Sequence, residues 1–140
     1  MPTLNTGCCL CEAVRYELYG EPVKCAVCHC DSCQQFSGSV FMANCWYKQD
    51  DFKIVRGRDA IQTYDERGTN SGLTMKRGFC KICGSSLFQQ TAQLQEAGIV
   101  AVTSGTMHDR SDVQPTLEIW CQNRRKWLSL GHKGEKLETQ

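Results

Sequence analysis

The stretch Cys9-Leu10-Cys11-Glu12-Ala13-Val14-Arg15-Tyr16-Glu17-Leu18-Tyr19 holds two patterns that decide the fold class. Its first three residues set two thiols either side of one residue, so on extended backbone both side chains leave from the same side. Further on, the apolar Val14, Tyr16 and Leu18 alternate with the charged Arg15 and Glu17, the period-two signature of a half-buried strand. Glu21-Pro22 then punctuates the run. Strand character recurs along the chain and predicts further strands at 22–28, 39–47, 52–56, 60–65, 73–79, 86–90, 98–103 and 116–122. Gly57, Gly68, Gly72, Gly84 and Gly105 lie between them as turn formers. Helical turns are predicted only at 31–36, capped by Asp31 and ended by Gly38, and at 92–97. The expected fold is therefore mainly β, with several short antiparallel sheets and few short helical turns.

The 140 residues suffice for one domain, and no linker or repeat divides them. We expect a single domain over 1–130 and a polar segment, 131–140, that frays. At 41% hydrophobic and 22% charged the composition is that of a globular protein. A formal charge of +1 gives no global pull toward nucleic acid or an anionic membrane. The one basic run, Arg124-Arg125-Lys126, reads as a solvated turn. No apolar run approaches the roughly 20 residues of a membrane span. Residues 1–11 show no basic flank followed by an apolar block, so no secretory signal is read there and a cytoplasmic location is expected.

Eleven cysteines stand out, and in a reducing compartment close-set thiols read as metal ligands. Cys9 and Cys11 form one hook; Cys80-Lys81-Ile82-Cys83-Gly84 forms a second, its glycine permitting the tight turn that aims backbone N–H groups at sulfur. Together they supply four thiolates, a closed structural zinc site that would tie the N-terminus to the middle of the chain. Cys28, Cys30 and Cys33 supply three, which leaves a fourth position open, the mark of a catalytic zinc. Cys25 complicates this: three residues before Cys28, it would close the site if it turned inward, although it also fits a buried strand position. His29 should face away from its two cysteine neighbours and serve structurally. Seven thiolates outweigh two divalent ions by three charges and turn the nominal +1 into −2. A nearby cation is therefore expected, with Lys24, Lys76 and Arg77 as candidates.

The segments Gly7–Tyr16, Cys28-His29-Cys30-Asp31-Ser32-Cys33 with Ser37-Gly38, and Phe79-Cys80-Lys81-Ile82-Cys83-Gly84-Ser85-Ser86-Leu87-Phe88 resemble the glutathione-dependent formaldehyde-activating enzyme / centromere protein V family. Ser104-Gly105-Thr106-Met107-His108-Asp109, Pro115, Ile119-Trp120 and Lys126-Trp127 resemble its closing segment. The resemblance implies an Mss4-like fold and two zinc ions per chain, structural at Cys9, Cys11, Cys80 and Cys83, catalytic at Cys28, Cys30 and Cys33. It also implies a carbon–sulfur lyase-type activity that joins formaldehyde to glutathione as S-hydroxymethylglutathione. Cys8, Glu12 and Cys25 depart from the residues expected there.

The catalytic residues beyond the zinc, and those that grip glutathione, are not legible. His108, Asp109 and His29 are available as acids. The same zinc chemistry would serve another small thiol or electrophile. The main alternative is a non-catalytic zinc-stabilised binding module, with Phe41, Trp46, Tyr47 and Trp120 as its patch. Methionine sulfoxide reduction would need a nucleophile outside the zinc sets, and Cys45 and Cys121 both lie in strand-like apolar surroundings.

Overall fold

A computed structural model describes residues 3–111, 113–131 and 134–139. In chain order the strands and helices are β1 (Leu4–Cys8), β2 (Arg15–Tyr19), β3 (Lys24–Cys28), α1 (Asp31–Ser37), β4 (Met42–Lys48), β5 (Phe52–Arg56), β6 (Ile61–Glu66), β7 (Met75–Cys80), β8 (Ser86–Thr91), α2 (Ala92–Glu96), β9 (Ile99–Thr103), β10 (Leu117–Ile119) and β11 (Glu135–Lys136). The mainly β expectation holds. Strands β1-β2-β5 form a small sheet, and β11-β10-β3-β4-β9-β8-β7-β6 a large one.

The period-two alternation gives the large sheet two different faces. One carries Cys45, Tyr47, Leu87, Val100 and Val102, which pack against Val14, Tyr16, Leu18 and Phe52 of the small sheet and its flanks to form the main core. The ring of Phe52 meets Tyr16 edge-on at 5.2 Å and Phe88 at 5.9 Å, and the Tyr16 hydroxyl shares a 2.7 Å hydrogen bond with Thr106. Gly7 is required beside them, since a Cβ there would lie 2.2 Å from the Tyr16 ring. The other face bears a smaller core of Ala26, Met42, Leu117, Ile119 and Trp120, with Cys28 and, from α1, Cys33.

Several boundaries differ from the sequence expectation for identifiable reasons. Strand β1, Leu-Asn-Thr-Gly-Cys, lacks apolar alternation and is a strand because all five residues pair with β2. The cap of α1 is Cys30, whose Sγ accepts from the Cys33 N–H at 3.3 Å, while Asp31 is its first residue. Gly38 ends it as expected, in the left-handed region at φ 68°. The strand expected over 116–122 stops at Ile119, because Trp120 turns to φ 56° and a 3-10 turn follows over Cys121–Asn123. Strand β10 runs parallel to β3 and to β11, a departure from antiparallel order at this edge. Of the segment expected to fray, residues 132, 133 and 140 lie outside the described residues. Glu135 and Lys136 pair with β10, and Leu137 packs on the second core.

Candidate metal centres and their cleft

Four sulfurs meet at one end of the main core: Cys9, Cys11, Cys80 and Cys83 offer ligand atoms all within 4.8 Å of one another. Cys9 Sγ lies 3.6 Å from Cys11 Sγ, which lies 3.8 Å from Cys80 Sγ. A tetrahedral zinc with bonds of about 2.3 Å sets its sulfurs roughly 3.8 Å apart, so the donor set fits that ion. Two tight turns aim the thiols. Gly84, at φ 78°, sends its N–H to the Cys80 carbonyl, and Glu12, at φ 65°, sends its N–H to the Cys9 carbonyl. Glu12 is one of two non-glycine residues with positive φ among the described residues, in a backbone region that L side chains rarely adopt. The Leu10 N–H donates to Ser85 Oγ at 2.9 Å and ties one turn to the other. Val14 N–H donates to Cys9 Sγ, and Ser85 Oγ lies 3.1 Å from Cys83 Sγ. Against burial, Ser85 and then the Cys11 N–H hold the Cys83 thiol down to about 5. Against the Ala13 N–H, burial and the neighbouring thiols push Cys11 up to about 12.

The second cluster sits on the opposite face of the large sheet. Cys28 ends β3, Cys30 caps α1 and Cys33 lies in its first turn, with their sulfurs within 4.8 Å of one another. Hydrogen bonds from Cys28 and Cys33, helped by the Cys33 N–H and the Arg77 charge, draw Cys30 down to about 2. The same bond to Cys30, a further one to Cys33 and burial push Cys28 far up. Cys33 receives a bond from Cys28, yet its link to Cys30 and its burial push it up to about 11. Three thiols packed this closely ionise together only beside a cation, which is the chemistry of a metal donor set.

Cys25 takes no part in this cluster. Three residues from Cys28 on one strand, it faces the main core, where its Sγ lies 2.8 Å from that of its cross-strand partner Cys45. His29 is fully buried with Nε2 2.6 Å from Glu118 Oε1, and Arg124 reaches the same carboxylate at 3.6 Å. A pair separated by 89 residues thereby pins the ligand-bearing segment between Cys28 and Cys30 to β10. Gln34 adds a 2.7 Å bond from Nε2 to the His29 carbonyl. Nothing in the sequence near His29 marks Glu118 as its partner.

A cleft of about 780 Å³, counting its open mouth, lies directly over the three cysteines. Its floor is the sheet, through Ala26, Asn44, Trp46, Gln89 and Ala101, and the Thr69-Asn70-Ser71 loop also lines it. Of the three cations expected nearby, Arg77 lines this cleft, whereas Lys76 faces a depression on the opposite side of the sheet and Lys24 lines neither. Arg77 lies 4.0 Å from Cys33 Sγ through Nη2. His108 lies elsewhere, bonded to Thr6 and Cys8 beside the first cluster. Cys121 points at the Glu118 carbonyl, and burial pushes its thiol up. The aromatic residues considered as a docking patch are otherwise engaged: Tyr47 is in the main core, Trp120 in the second, Trp46 in the cleft floor, and Phe41 stands edge-on to His29 at 6.0 Å. The basic run is also engaged, with Arg125 Nε donating to Gln34 Oε1 at 2.9 Å. Among the described residues no helix is long and apolar enough to cross a membrane.

A β-rich domain with a four-thiol cluster at one end of its core, and a three-thiol cluster opening on a cleft, defines a class of proteins built around two cysteine clusters that could hold metal; His29, Glu118 and Cys121 form a third group of potential donors. Residues 4–123 match the glutathione-dependent formaldehyde-activating enzyme family, and the chain belongs to it. It is 32% identical over 83 residues to an uncharacterized lyase of Schizosaccharomyces pombe, a match that covers 59% of this chain and 54% of that protein. The chain thus spans about half the length of that curated relative. The fold is similar to the crystal structure of a Rhodobacter sphaeroides protein, with a TM-score of 0.57 and 23% identity over 79% of this chain and 91% of that one.

Proposed function

We propose that the protein is a zinc-dependent carbon–sulfur lyase-type enzyme that joins formaldehyde to glutathione, or handles a related small-thiol adduct, at the three-cysteine cluster. The observation that carries this reading is the cleft over Cys28, Cys30 and Cys33, from which Cys25 is turned away. Cys9, Cys11, Cys80 and Cys83 would hold a structural zinc; Cys28, Cys30 and Cys33 would hold the second. Bound there, zinc supplies the charge that keeps a thiol of ordinary pKa near 8.5 in its reactive thiolate form at neutral pH.

This chain's residues do the rest by placement. The His29–Glu118 pair and the Cys30 cap fix the three sulfurs on one side of the cleft. The sheet floor and the Thr69-Asn70-Ser71 loop border the space above them, where the incoming thiol would enter. The sulfur attacks the carbonyl carbon, a carbon–sulfur bond forms, and the carbonyl electron pair moves to oxygen. The thiol gives up one proton and the new hydroxyl gains one, so nothing is oxidised or reduced. Reversal of these steps gives the lyase direction. A reducing, cytoplasmic setting suits seven thiolate ligands.

Thiols and formaldehyde also combine unassisted, so the test is the rate of S-hydroxymethylglutathione formation above background with zinc-loaded protein. We expect an excess that vanishes in Cys30→Ser; no excess over that variant would overturn the assignment. A binding module remains the rival, and it predicts a second cluster with a permanent fourth protein ligand.

A further inference from the structure

One buried cation dominates the charge around the three-cysteine cluster. Arg77 on β7 is only 2% exposed, with its side chain on the cleft face of the sheet. Its guanidinium is held on every side: Nε donates to Glu66 Oε1 at 2.8 Å, Nη1 points at Met42 Sδ at 3.9 Å, Nη2 at Cys33 Sγ at 4.0 Å, and Cζ lies 5.0 Å from the centre of the Phe36 ring on α1. Burying a guanidinium is costly unless it is paired, and Glu66 meets only one edge of it. The other edge turns toward sulfur. An arginine cannot shed its proton to relieve the burial, so the charge is permanent there.

The cluster has a use for it. Three thiolates around a divalent ion already carry a surplus of one negative charge, and an anionic fourth ligand adds another. Among the described residues that line the cleft, Arg77 is the one that carries a positive charge; the rest are the three cysteines, apolar residues such as Ala26, Trp46 and Ile119, and neutral polar ones such as Asn44, Asn70 and Gln89. We propose that Arg77 is a positioning residue that selects an anionic ligand, a thiolate, over a neutral one for the fourth position, and that Glu66 sets how much of its charge is felt. The proposal rests on the metal-centre reading above and adds a determinant of ligand charge to it.

Cobalt(II) replaces zinc in the test, because its visible bands report sulfur ligation; the bands lost in Cys30→Ser identify the cluster. Each protein is titrated with 2-mercaptoethanol, which binds as an anion, and in parallel with imidazole, which binds neutral. We expect Arg77→Met to weaken the thiol about tenfold while imidazole binding stays within about twofold, and Arg77→Lys to keep most of the preference. Glu66→Gln should strengthen the thiol a few-fold, the opposite sign. Equal losses for both ligands in Arg77→Met, or a Glu66→Gln change in the same direction, would reduce Arg77 to a structural role and overturn the proposal. Should Arg77→Met fail to fold, the sign in Glu66→Gln decides. Absence of any cobalt band that depends on Cys30 would remove the metal-centre reading itself, whereas normal bands with unaltered ligand preference would remove only the role of Arg77.

Discussion

The two thiol clusters lie on opposite faces of one sheet and differ in what covers them. Cys9 and Cys80 are buried in the main core, Cys83 packs against it and Cys11 is exposed, with tight turns aiming the four thiols at one another. Cys28, Cys30 and Cys33 sit on the face with no second sheet over it, beneath a cleft, and are braced from below by His29–Glu118 and from the side by Arg77. On the reading proposed above, four thiols gathered on one ion would serve the fold, and three facing the cleft would serve a ligand. On that reading, close-set thiols would acquire two roles from which face of the sheet they occupy.

The contrast is broken most severely by Cys80→Ser. A structural zinc contributes on the order of 10 kcal/mol, comparable to the roughly 5–15 kcal/mol by which a domain exceeds its unfolded state. Loss of the buried Cys80 sulfur should therefore abolish cooperative folding, seen as loss of a thermal transition by circular dichroism. A folded Cys80→Ser protein with an ordinary transition would show that the first cluster is no staple. Next in size is Cys33→Ser, expected to keep the fold while metal content falls from two ions per chain to one and turnover drops to background. If that variant also loses its thermal transition, the division of labour between the clusters is wrong.

Glu118→Ala probes the brace rather than the ligands. Removing one partner of a fully buried pair typically costs about 3 kcal/mol, and both His29 and Glu118 are fully buried. The expected result is a lowered urea midpoint together with weaker metal retention at the second cluster only, read by competition with a chelator. Equal weakening at both clusters would mean general loosening instead.

What was legible in the sequence follows range. The cysteine hooks and the strand alternation around Tyr16 are local, so spacing alone grouped the thiols that the structure brings together and assigned the fold class. Gly84 and Gly38 announced their turns for the same reason, a backbone conformation that favours one residue type. Glu118 was not legible in this way, and Arg77 only as one of three candidate cations, because their partners lie 89 and 44 residues away. Only the packed sheet shows that Arg77 faces the cleft while Lys76 faces a depression on the other side. Strand β1 and the pairing of β11 escaped for a related reason: both are strands by virtue of their neighbours and carry no period of their own.

Cys25 gives the smallest expected effect and the sharpest distinction between an open and a closed second cluster. On the sequence it stood in a run of four cysteines, each two or three residues from the next, and nothing local excluded it as a ligand. The alternation of β3 settles the matter sterically: an odd separation from Cys28 sends its side chain through the sheet to the main core, into register with Cys45 on β4. To reach the cluster it would have to invert the strand, which would expose Val27 and Ala26 on the wrong faces and break the pairing with both β4 and β10. Cys25→Ala should thus leave metal content and the cobalt bands unchanged, and cost about 1 kcal/mol for the small cavity beside Cys45. Metal analysis and a thermal melt on the same sample check both halves. A fall to one ion per chain would mean that Cys25 seals the centre, leaving no position for an incoming sulfur and making the protein a binding module.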